Sequence, residues 1–334
     1  MRPYPVLCSR SPSAERNKRW AKGRRTAGCT VVLWASCVQS VYFRRVNARD
    51  GRPVSVVTGA NAGIGKAAAS ALAGLGHHVV MVCRSRERGD AALAELRANT
   101  AGSLELIIAD LSLQSEVRRL AAALLADYPA IHVLLNNAGA IYNQRRLTAE
   151  GIERTWALNH LGYFLLTNLL RERLVASAPA RIVNVASNAS KAGRIDFDNL
   201  QGERLYVPFG AYARSKLANI MFTRSLAAQL DGRGVTANCL HPGTILSHIT
   251  DRQAAPVRAY FRVFGTTPEA GADTVVWLAT SPELAGCGGG FYIRRRQRRL
   301  PPAARDEALL QQLWDESERM TAGSASRKPA TPGS

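Results

Sequence analysis

The fold of this chain is decided by the stretch VSVVTGANAGIG at residues 54–65. Its first four residues form a near-continuous apolar run, which predicts a strand buried on both faces. The glycines let the backbone turn sharply, and the Ala- and Leu-rich residues 63–76 predict a helix closed by Gly76. The N-terminus of such a helix offers free N–H groups and a positive dipole end, and both suit a pyrophosphate. The GxxxGxG spacing differs from the GxGxxG of the commonest dinucleotide fingerprint, so a tight turn without a ligand stays open at this point.

Strands and helices alternate outward from this turn. The pattern predicts strands at 54–57, 78–83, 104–109, 131–135, 181–186, 236–240 and 290–293, and helices at 63–76, 86–98, 113–127, 148–176, 211–230, 268–280 and through Leu309 and Trp314. Strands that alternate with helices of a dozen residues imply right-handed βαβ units. We therefore predict an α/β fold: a doubly wound parallel sheet of the Rossmann type, in a single domain over 53–320 with helices on both faces.

The composition fits one large core and excludes several classes. The chain has 334 residues, 46% of them hydrophobic and 21% charged, which argues against wholesale disorder and against a polytopic membrane protein. Its formal charge of +19 is concentrated in residues 1–52, which contribute +10, and in the five arginines of 294–299. The basic N-terminal segment contains no recognised nucleic-acid-binding motif, so no nucleic-acid partner is expected. The six cysteines form no CxxC pair and no cluster with histidine, which predicts a reducing compartment, most simply the cytoplasm, and no metal.

The two ends of the chain are predicted to lie outside the domain. Residues 26–43 are uncharged but diluted by polar side chains, whereas a spanning helix needs about 20 predominantly apolar residues. Two hypotheses stay open for 1–52: a poorly ordered basic extension, or a weak anchor that would give peripheral or N-terminally anchored membrane association. Residues 321–334 are rich in Gly, Ser and Pro and are predicted to be disordered.

The end of the second predicted strand bears on cofactor choice. A site that prefers NAD usually has Asp or Glu here, for the ribose 2′-hydroxyl, and an Arg nearby accommodates a 2′-phosphate. This chain has Cys83 followed by Arg84. The pair favours NADP(H) over NAD(H), with a solvated helix-capping arginine as the alternative interpretation.

The strongest chemical signal is YARSK at 212–216. Tyr212 and Lys216 are four residues apart and share one face of a helix. A phenol titrates near 10, and we expect a neighbouring ammonium, with the charge of an oxidised nicotinamide, to lower that pKa toward neutral. Ser187 follows the fifth strand, where a hydroxyl would face the crevice at the carboxyl ends of the strands.

Taken together, these motifs resemble the short-chain dehydrogenase/reductase family from about Pro53 to Met320. The matching motifs are TGANAGIG at 58–65, Asp110-Leu111, NNAG at 136–139, Asn159, Ser187, YARSK at 212–216 and His241-Pro242-Gly243. Within the family the chain is most similar to the retinol-dehydrogenase-like branch. Supporting stretches are VCRS at 82–85, LNHLG at 158–162, SKLAN at 215–219 and the longer interval between Ser187 and Tyr212.

The resemblance implies a role for each matching residue. Tyr212 would be the general acid/base, Lys216 would lower its pKa and bind the ribose, and Ser187 would polarise the substrate carbonyl. Asn159 would kink its helix and hold a water that links Lys216 to solvent. The implied cofactor-binding residues are Gly59, Asn61, Gly63, Ile64, Gly65, Arg84, Asp110, Leu111, Asn137, Gly139, Tyr212, Lys216, Pro242, Gly243 and Thr244. A substrate lid is expected near 244–266. Helix capping by Asp110 and strand bridging by Asn136 remain alternatives.

The implied activity is an NADP(H)-dependent oxidoreductase that interconverts an apolar alcohol and its aldehyde or ketone. The substrate would be a small retinoid-, steroid- or aliphatic-aldehyde-like molecule, and the oligomeric state, a homo-oligomer included, stays open. The alternative is a catalytically silent dinucleotide-binding regulator or scaffold of the same fold. His160 and His241 have no partner at metal-ligand spacing and are not expected to bind a metal.

Overall fold

The structure, a computed structural model, describes residues 51–243 and 266–322. The predicted N-terminal extension up to residue 50, the lid up to residue 265 and the tail from residue 323 onward lie outside the described residues, as does Thr244. Within residues 51–243 and 266–322, no helix is both long enough and apolar enough to cross a bilayer.

Eight strands form one sheet in the order β3-β2-β1-β4-β5-β6-β7-β8. The strands are β1 Val54–Thr58, β2 His78–Cys83, β3 Ser103–Ile108, β4 Val133–Asn136, β5 Ala180–Val185, β6 Val235–His241, β7 Phe291–Ile293 and β8 Arg296–Arg298. The first seven pair in parallel, and β8 pairs antiparallel to β7. The strand order reverses between β1 and β4, and ligands of doubly wound sheets bind at such a switch point. The predicted Rossmann-type α/β fold is confirmed.

Helices cover both faces of the sheet. They are α1 Gly63–Gly74, α2 Arg86–Asn99, α3 Gln114–Asp127, α4 Arg154–Trp156, α5 Gly162–Ala176, α6 Pro208–Gln229, α7 Pro268–Thr280 and α8 Glu307–Thr321. The core on one face joins α3, α5, α6 and α8 through residues such as Leu120, Phe164 and Trp314. The core on the other face joins α1, α2 and α7 through residues such as Leu72 and Leu278. The side chains of neighbouring strand residues pack into opposite cores. Both faces of the strands are therefore buried, which explains why the strands are apolar almost throughout.

The predicted helix over 148–176 is wrong at its start and in its middle. The helix begins at Arg154, because Glu153 caps it: one carboxylate oxygen accepts from Thr155 N and the other from Trp156 N, each at 2.8 Å. Residues before the cap form a tight turn in which Gly151 has a φ of +76°. A π-helix over Ala157–Leu161 then separates α4 from α5. Carboxylate capping and the π-helix both depend on tertiary packing, which the apolar period does not reveal.

Strand β8 was not predicted. Its residues, Arg296-Gln297-Arg298, are all exposed, and arginine carries no strand signal. Arg294 and Arg295, with φ of 50° and 57°, make the tight turn that folds β8 back on β7. The long interval between Ser187 and Tyr212 contains two short 3₁₀ helices, Asn188–Ala192 and Phe197–Asn199.

Candidate active site

The Gly-rich turn after β1 is locked to the loop after β4. Thr58 Oγ1 accepts from Asn137 N at 2.8 Å, and Asn137 Nδ2 donates to Thr58 O at 2.8 Å. Gly59 has a φ of +67°, and a Cβ there would lie 2.9 Å from Ala138 Cα. A Cβ on Gly65 would lie 2.3 Å from Gly59 O, so Gly65 packs behind the turn. Glycine is therefore required at 59 and 65 by close packing.

A cleft of about 270 Å³ opens in front of this turn. Nine predicted cofactor-binding residues line it: Gly59, Asn61, Gly63, Ile64, Arg84, Asp110, Leu111, Asn137 and Gly139. The N-terminus of α1 lies at the cleft, and its N-cap residue, Ala62, makes no side-chain hydrogen bond to the first turn. That first turn carries no acidic residue. The chain therefore leaves the α1 N-terminus without its own capping group, which suits an anionic ligand such as a pyrophosphate.

One end of the cleft is cationic. Arg84 and Arg88 line it and are exposed, and Ser85 between them caps α2 by accepting from Arg88 N at 3.3 Å. The capping residue is therefore Ser85, not Arg84. Burial raises the pKa of the Cys83 thiol to about 11, so position 83 adds no negative charge. Asp110 accepts from Ser112 N at 3.0 Å and from Ser112 Oγ at 2.7 Å. The N-cap residue of α3 is Leu113, which has no side-chain cap bond, so Asp110 stabilises the turn before α3 and does not cap the helix.

Ser187 and Tyr212 meet at the carboxyl end of β5. Ser187 lies two residues beyond the strand and is the N-cap of the first 3₁₀ helix, where its Oγ accepts from Ala189 N at 3.2 Å. Tyr212 lies in the first turns of α6 and keeps part of its surface exposed. Burial of the phenol raises its pKa, while a side-chain hydrogen bond with Ser187 acts in the opposite direction. Pro242 and Gly243 follow β6 at this same edge of the sheet.

Lys216 lies one helical turn beyond Tyr212 and is only 3% exposed. Its Nζ donates to Val185 O at 2.8 Å, and burial lowers its pKa to about 7. The Nζ is 5.8 Å from the centre of the Tyr212 ring. In the protein without cofactor, burial is the largest cause of the pKa shifts of both Tyr212 and Lys216. The lowering of the Tyr212 pKa by Lys216 together with an oxidised nicotinamide stays a prediction.

Asn159 reaches the same cluster from the π-helix, where the resemblance implied a kink. Its Nδ2 donates to Ala140 O at 2.9 Å and to Ser215 Oγ at 3.1 Å, and its Oδ1 accepts from Ala140 N at 2.9 Å. A Cβ on Gly139 would lie 3.3 Å from Asn159 Oδ1 and 3.4 Å from Lys216 Nζ. The side chains of Asn159 and Lys216 therefore both approach Gly139. The water link between them stays a prediction.

Comparison with known proteins agrees with this arrangement. The family model described as short chain dehydrogenase matches residues 53–257. The chain belongs to the short-chain dehydrogenase/reductase family. Human retinol dehydrogenase 14 is 41% identical over 285 residues, which cover 79% of this chain and 85% of that protein.

Solved structures of the family share the fold. The crystal structure of an uncharacterized protein from Mycobacterium Paratuberculosis is 33% identical, with a TM-score of 0.65 over 80% of this chain and 93% of that one. A metagenomic short-chain oxidoreductase in complex with NADP is 26% identical, with a TM-score of 0.55 over 72% of this chain and 95% of that one. The family and its retinol-dehydrogenase-like branch, both predicted from the motifs, are confirmed.

This short-chain dehydrogenase/reductase is an enzyme that interconverts alcohols and carbonyl compounds, and its fold binds a nicotinamide dinucleotide. Asn136, whose role was open, donates to Thr167 Oγ1 at 2.9 Å and to Asn184 Oδ1 at 2.8 Å, so it bridges β4 and β5. Burial lowers the pKa of both His160 and His241 to about 4. In the part of the chain that the structure describes, no group of three potential ligands could hold a metal.

Sequence reasoning missed several residues that pack around Asn159 and Lys216. Ser215 and Ala140 bind the Asn159 amide, and Tyr163 lies one helical turn beyond Asn159, with its ring centre 5.4 Å from Lys216 Nζ. Tyr163 is fully buried, and its hydroxyl has no hydrogen-bond partner among the described residues. The spacing of four residues from Asn159 is the one sequence signal that could have identified Tyr163.

Proposed function

We propose that this enzyme is an NADP(H)-dependent carbonyl reductase or alcohol dehydrogenase for an apolar substrate, with Tyr212 as the general acid/base. The observation that carries the proposal is the meeting of Ser187, Tyr212, Lys216 and Asn159 beside the nucleotide cleft. The four residues come from the loop after β5, from α6 and from the π-helix, and they converge at the carboxyl edge of the sheet. Such convergence of titratable groups at a switch point is the usual mark of an active site.

Each side chain has a task that its contacts support. The Tyr212 hydroxyl gives its proton to the substrate oxygen during reduction, and Ser187, its hydrogen-bond partner, orients the same oxygen. Lys216, with a pKa of about 7, can take up or release a proton near neutral pH. When bound, the nicotinamide cofactor supplies the hydride and, in its oxidised form, a positive charge beside the phenol. The Asn159 side chain hydrogen-bonds to both backbone groups of Ala140, which follows Gly139, and Lys216 Nζ also approaches Gly139.

The preference for NADP(H) rests on the cationic end of the cleft. Arg84 and Arg88 line that end, and Cys83 stays neutral there. A 2′-phosphate would form charge-assisted hydrogen bonds with the guanidinium groups, each worth roughly 1.5–3 kcal/mol and less where solvent screens the arginine. The NADP complex of the metagenomic relative is consistent with this preference.

An apolar substrate is supported by the surface that leads to Tyr212. Leu205, Val207 and Phe209 precede Tyr212 in the chain and are 68%, 52% and 56% exposed. Large apolar side chains so exposed mark a surface that contacts apolar molecules. The relative named retinol dehydrogenase 14 points to the same substrate class.

The alternative, a silent dinucleotide-binding regulator, fits the structure less well. Burying an amine until its pKa falls to about 7 costs folding free energy, and a protein that only binds a cofactor has no need of it. Nor would a regulator need a serine hydroxyl beside Tyr212.

A substrate screen tests the proposal. Purified full-length protein is mixed with NADPH and with retinoid, steroid and medium-chain aliphatic carbonyls, and the loss of NADPH absorbance is followed. We expect turnover of at least one apolar carbonyl, and none of it in the Tyr212→Phe variant. Binding of NADPH without turnover across the panel would favour the regulator.

A further inference from the structure

A buried chain of hydrogen bonds runs from the C-terminal helix α8 to the catalytic cluster. Ser317 Oγ lies 2.9 Å from His160 Nε2, and His160 Nδ1 lies 3.4 Å from Asn219 Oδ1. Asn219 Nδ2 donates to the main-chain oxygen of Asn159 at 2.8 Å. All four residues are at most 1% exposed. A residue of the last helix is therefore connected to Asn159 through two side chains.

The proton positions along this path depend on the tautomer of His160. Because Asn219 Nδ2 points at the Asn159 carbonyl, Asn219 presents its oxygen to His160, and that oxygen can only accept. With its proton on Nδ1, neutral His160 donates to Asn219 Oδ1 and accepts at Nε2 from the Ser317 hydroxyl. With its proton on Nε2, His160 donates to Ser317 Oγ, whose own hydrogen goes to Leu313 O at 2.7 Å. Ser317 and His160 are hydrogen-bonded in both tautomers, so α8 stays linked to His160 in each.

This path of hydrogen bonds ends at the π-helix between α4 and α5, where the helical hydrogen-bonding pattern is irregular. Asn159 lies in the π-helix, whose wider hydrogen-bonding pattern leaves a main-chain carbonyl to be satisfied from outside. Asn219 provides that donor, and the Asn159 side chain in turn binds Ala140 and approaches Gly139, as Lys216 Nζ also does. A shift of the π-helix would therefore displace Asn159 and the Ala140 backbone that it holds beside Gly139.

We propose that Ser317, His160 and Asn219 are positioning residues, through which α8 holds Asn159 in place beside Ala140 and Gly139. This inference rests on the proposed function, since it assigns these residues to the same catalytic cluster. Docking of α8 itself does not depend on Ser317. The Trp314 ring packs 5.0 Å from Phe164 and 5.8 Å from Phe222, centre to centre, and Leu310 and Leu313 are buried.

The test compares two variants that each remove one buried hydroxyl from α8 in the full chain. Ser317→Ala removes the first hydrogen bond of the path, the one between α8 and His160. Thr321→Val is the matched control, because Thr321 Oγ1 bonds the Ser317 carbonyl at 2.7 Å and makes no hydrogen bond to His160. We expect Ser317→Ala to lower kcat about tenfold with KM and the NADPH Kd within twofold, since a misplacement of 1 Å can cost about 10²-fold. Thr321→Val should keep kcat within twofold of the unmodified enzyme, with a similar loss of Tm.

Hydrogen exchange gives a second readout that needs no turnover. The Ala140 amide donates to Asn159 Oδ1, so it reports directly on the position of Asn159. Exchange at Ala140 should become about tenfold faster in Ser317→Ala and stay unchanged in Thr321→Val. In a His160→Gln background, Ser317→Ala should have no further effect, because the connection is already cut.

The two proposals fail in different ways. Equal kcat and equal Ala140 exchange in Ser317→Ala and Thr321→Val would overturn the positioning role. Turnover that survives Tyr212→Phe would instead overturn the proposed function, and Ala140 exchange would still decide whether α8 positions Asn159.

Discussion

The two halves of the carboxyl edge are built on different principles. At the ends of β1 to β4, the proposed nucleotide cleft is lined by glycines, by polar side chains such as Asp110 and Asn137, and by exposed arginines. Beside the ends of β5 and β6, the proposed catalytic cluster contains the buried side chains of Lys216 and Asn159, which hydrogen-bond to other protein groups. The difference teaches that the open half is suited to hold a charged ligand and the closed half to tune proton transfer. Binding and turnover should therefore be separable by mutation.

The largest separation is expected from Tyr212→Phe. Loss of the hydroxyl removes the proposed general acid/base and leaves the nucleotide half untouched, so kcat should fall about 10²–10⁴-fold. The Kd for NADPH, measured by fluorescence titration, should stay within a few-fold. Tyr128→Phe is the control, because Tyr128 is a buried phenol at the C-terminal end of α3, and its kcat should be unchanged. Retention of more than about a tenth of kcat by Tyr212→Phe would remove Tyr212 from the mechanism.

The nucleotide half should in turn control the choice of cofactor. We expect kcat/KM to favour NADPH over NADH at least tenfold, which corresponds to about 1.4 kcal/mol and agrees with a partly screened phosphate contact. Replacing Cys83 by Asp and Arg84 by Ala together should reverse the preference, since a carboxylate repels the 2′-phosphate and accepts from the ribose hydroxyls. Arg86→Ala removes the same charge from an exposed position on α2 and should leave the ratio unchanged. Parity between the cofactors in the unmodified enzyme would mean that the role given to Arg84 is wrong.

The two halves also differ in how far their sequence predicts them. The nucleotide half follows from contiguous signals, because the glycines, Cys83-Arg84 and Asp110-Leu111 all lie at strand ends. In the catalytic half only Tyr212 and Lys216 share such a signal, through their spacing on α6. Tyr163 lies near Lys216, and Ser317 is linked to the cluster through His160, because elements distant in sequence pack together. No local sequence pattern predicts such packing.

The sequence pattern mispredicted local structure at two places where contacts between distant residues determine it. The apolar period predicts one helix from 148, but the buried Glu153 carboxylate stops it short by capping α4. Strand β8 forms because a turn of two left-handed arginines returns the chain beside β7. Neither feature has a propensity signal, so both became visible only in the structure.

The smallest expected effect is on stability: the buried Lys216 of the catalytic half should make the free energy of unfolding depend on pH. Burial lowers the pKa of Lys216 from its ordinary 10.5 to about 7. Between these two values the unfolded chain holds a proton that the folded chain has released, so the free energy of unfolding rises with pH from about 7 to 10.5. Lys216→Met lacks this dependence, so its Tm relative to the unmodified enzyme should be highest at pH 7 and decline toward pH 9.

Thermal melts at several pH values measure this difference, with Lys191→Met as the control because Lys191 is exposed. The gap in Tm between Lys191→Met and the unmodified enzyme should not change with pH. If the Tm of Lys216→Met minus that of the unmodified enzyme is constant or rises toward alkaline pH, Lys216 is not a buried amine with a pKa near neutral.

The most direct test of the account follows the hydride itself. The full-length enzyme converts an apolar aldehyde with NADPH that carries deuterium at the transferable position of the nicotinamide ring, and the alcohol is analysed by mass spectrometry. We expect one deuterium on the carbinol carbon of the alcohol with the unmodified enzyme, and at least about 10²-fold less labelled alcohol in the same time with Tyr212→Phe at saturating cofactor. Unlabelled alcohol from the unmodified enzyme, or an equal rate of labelling by Tyr212→Phe, would contradict the proposed hydride transfer with Tyr212 as general acid/base.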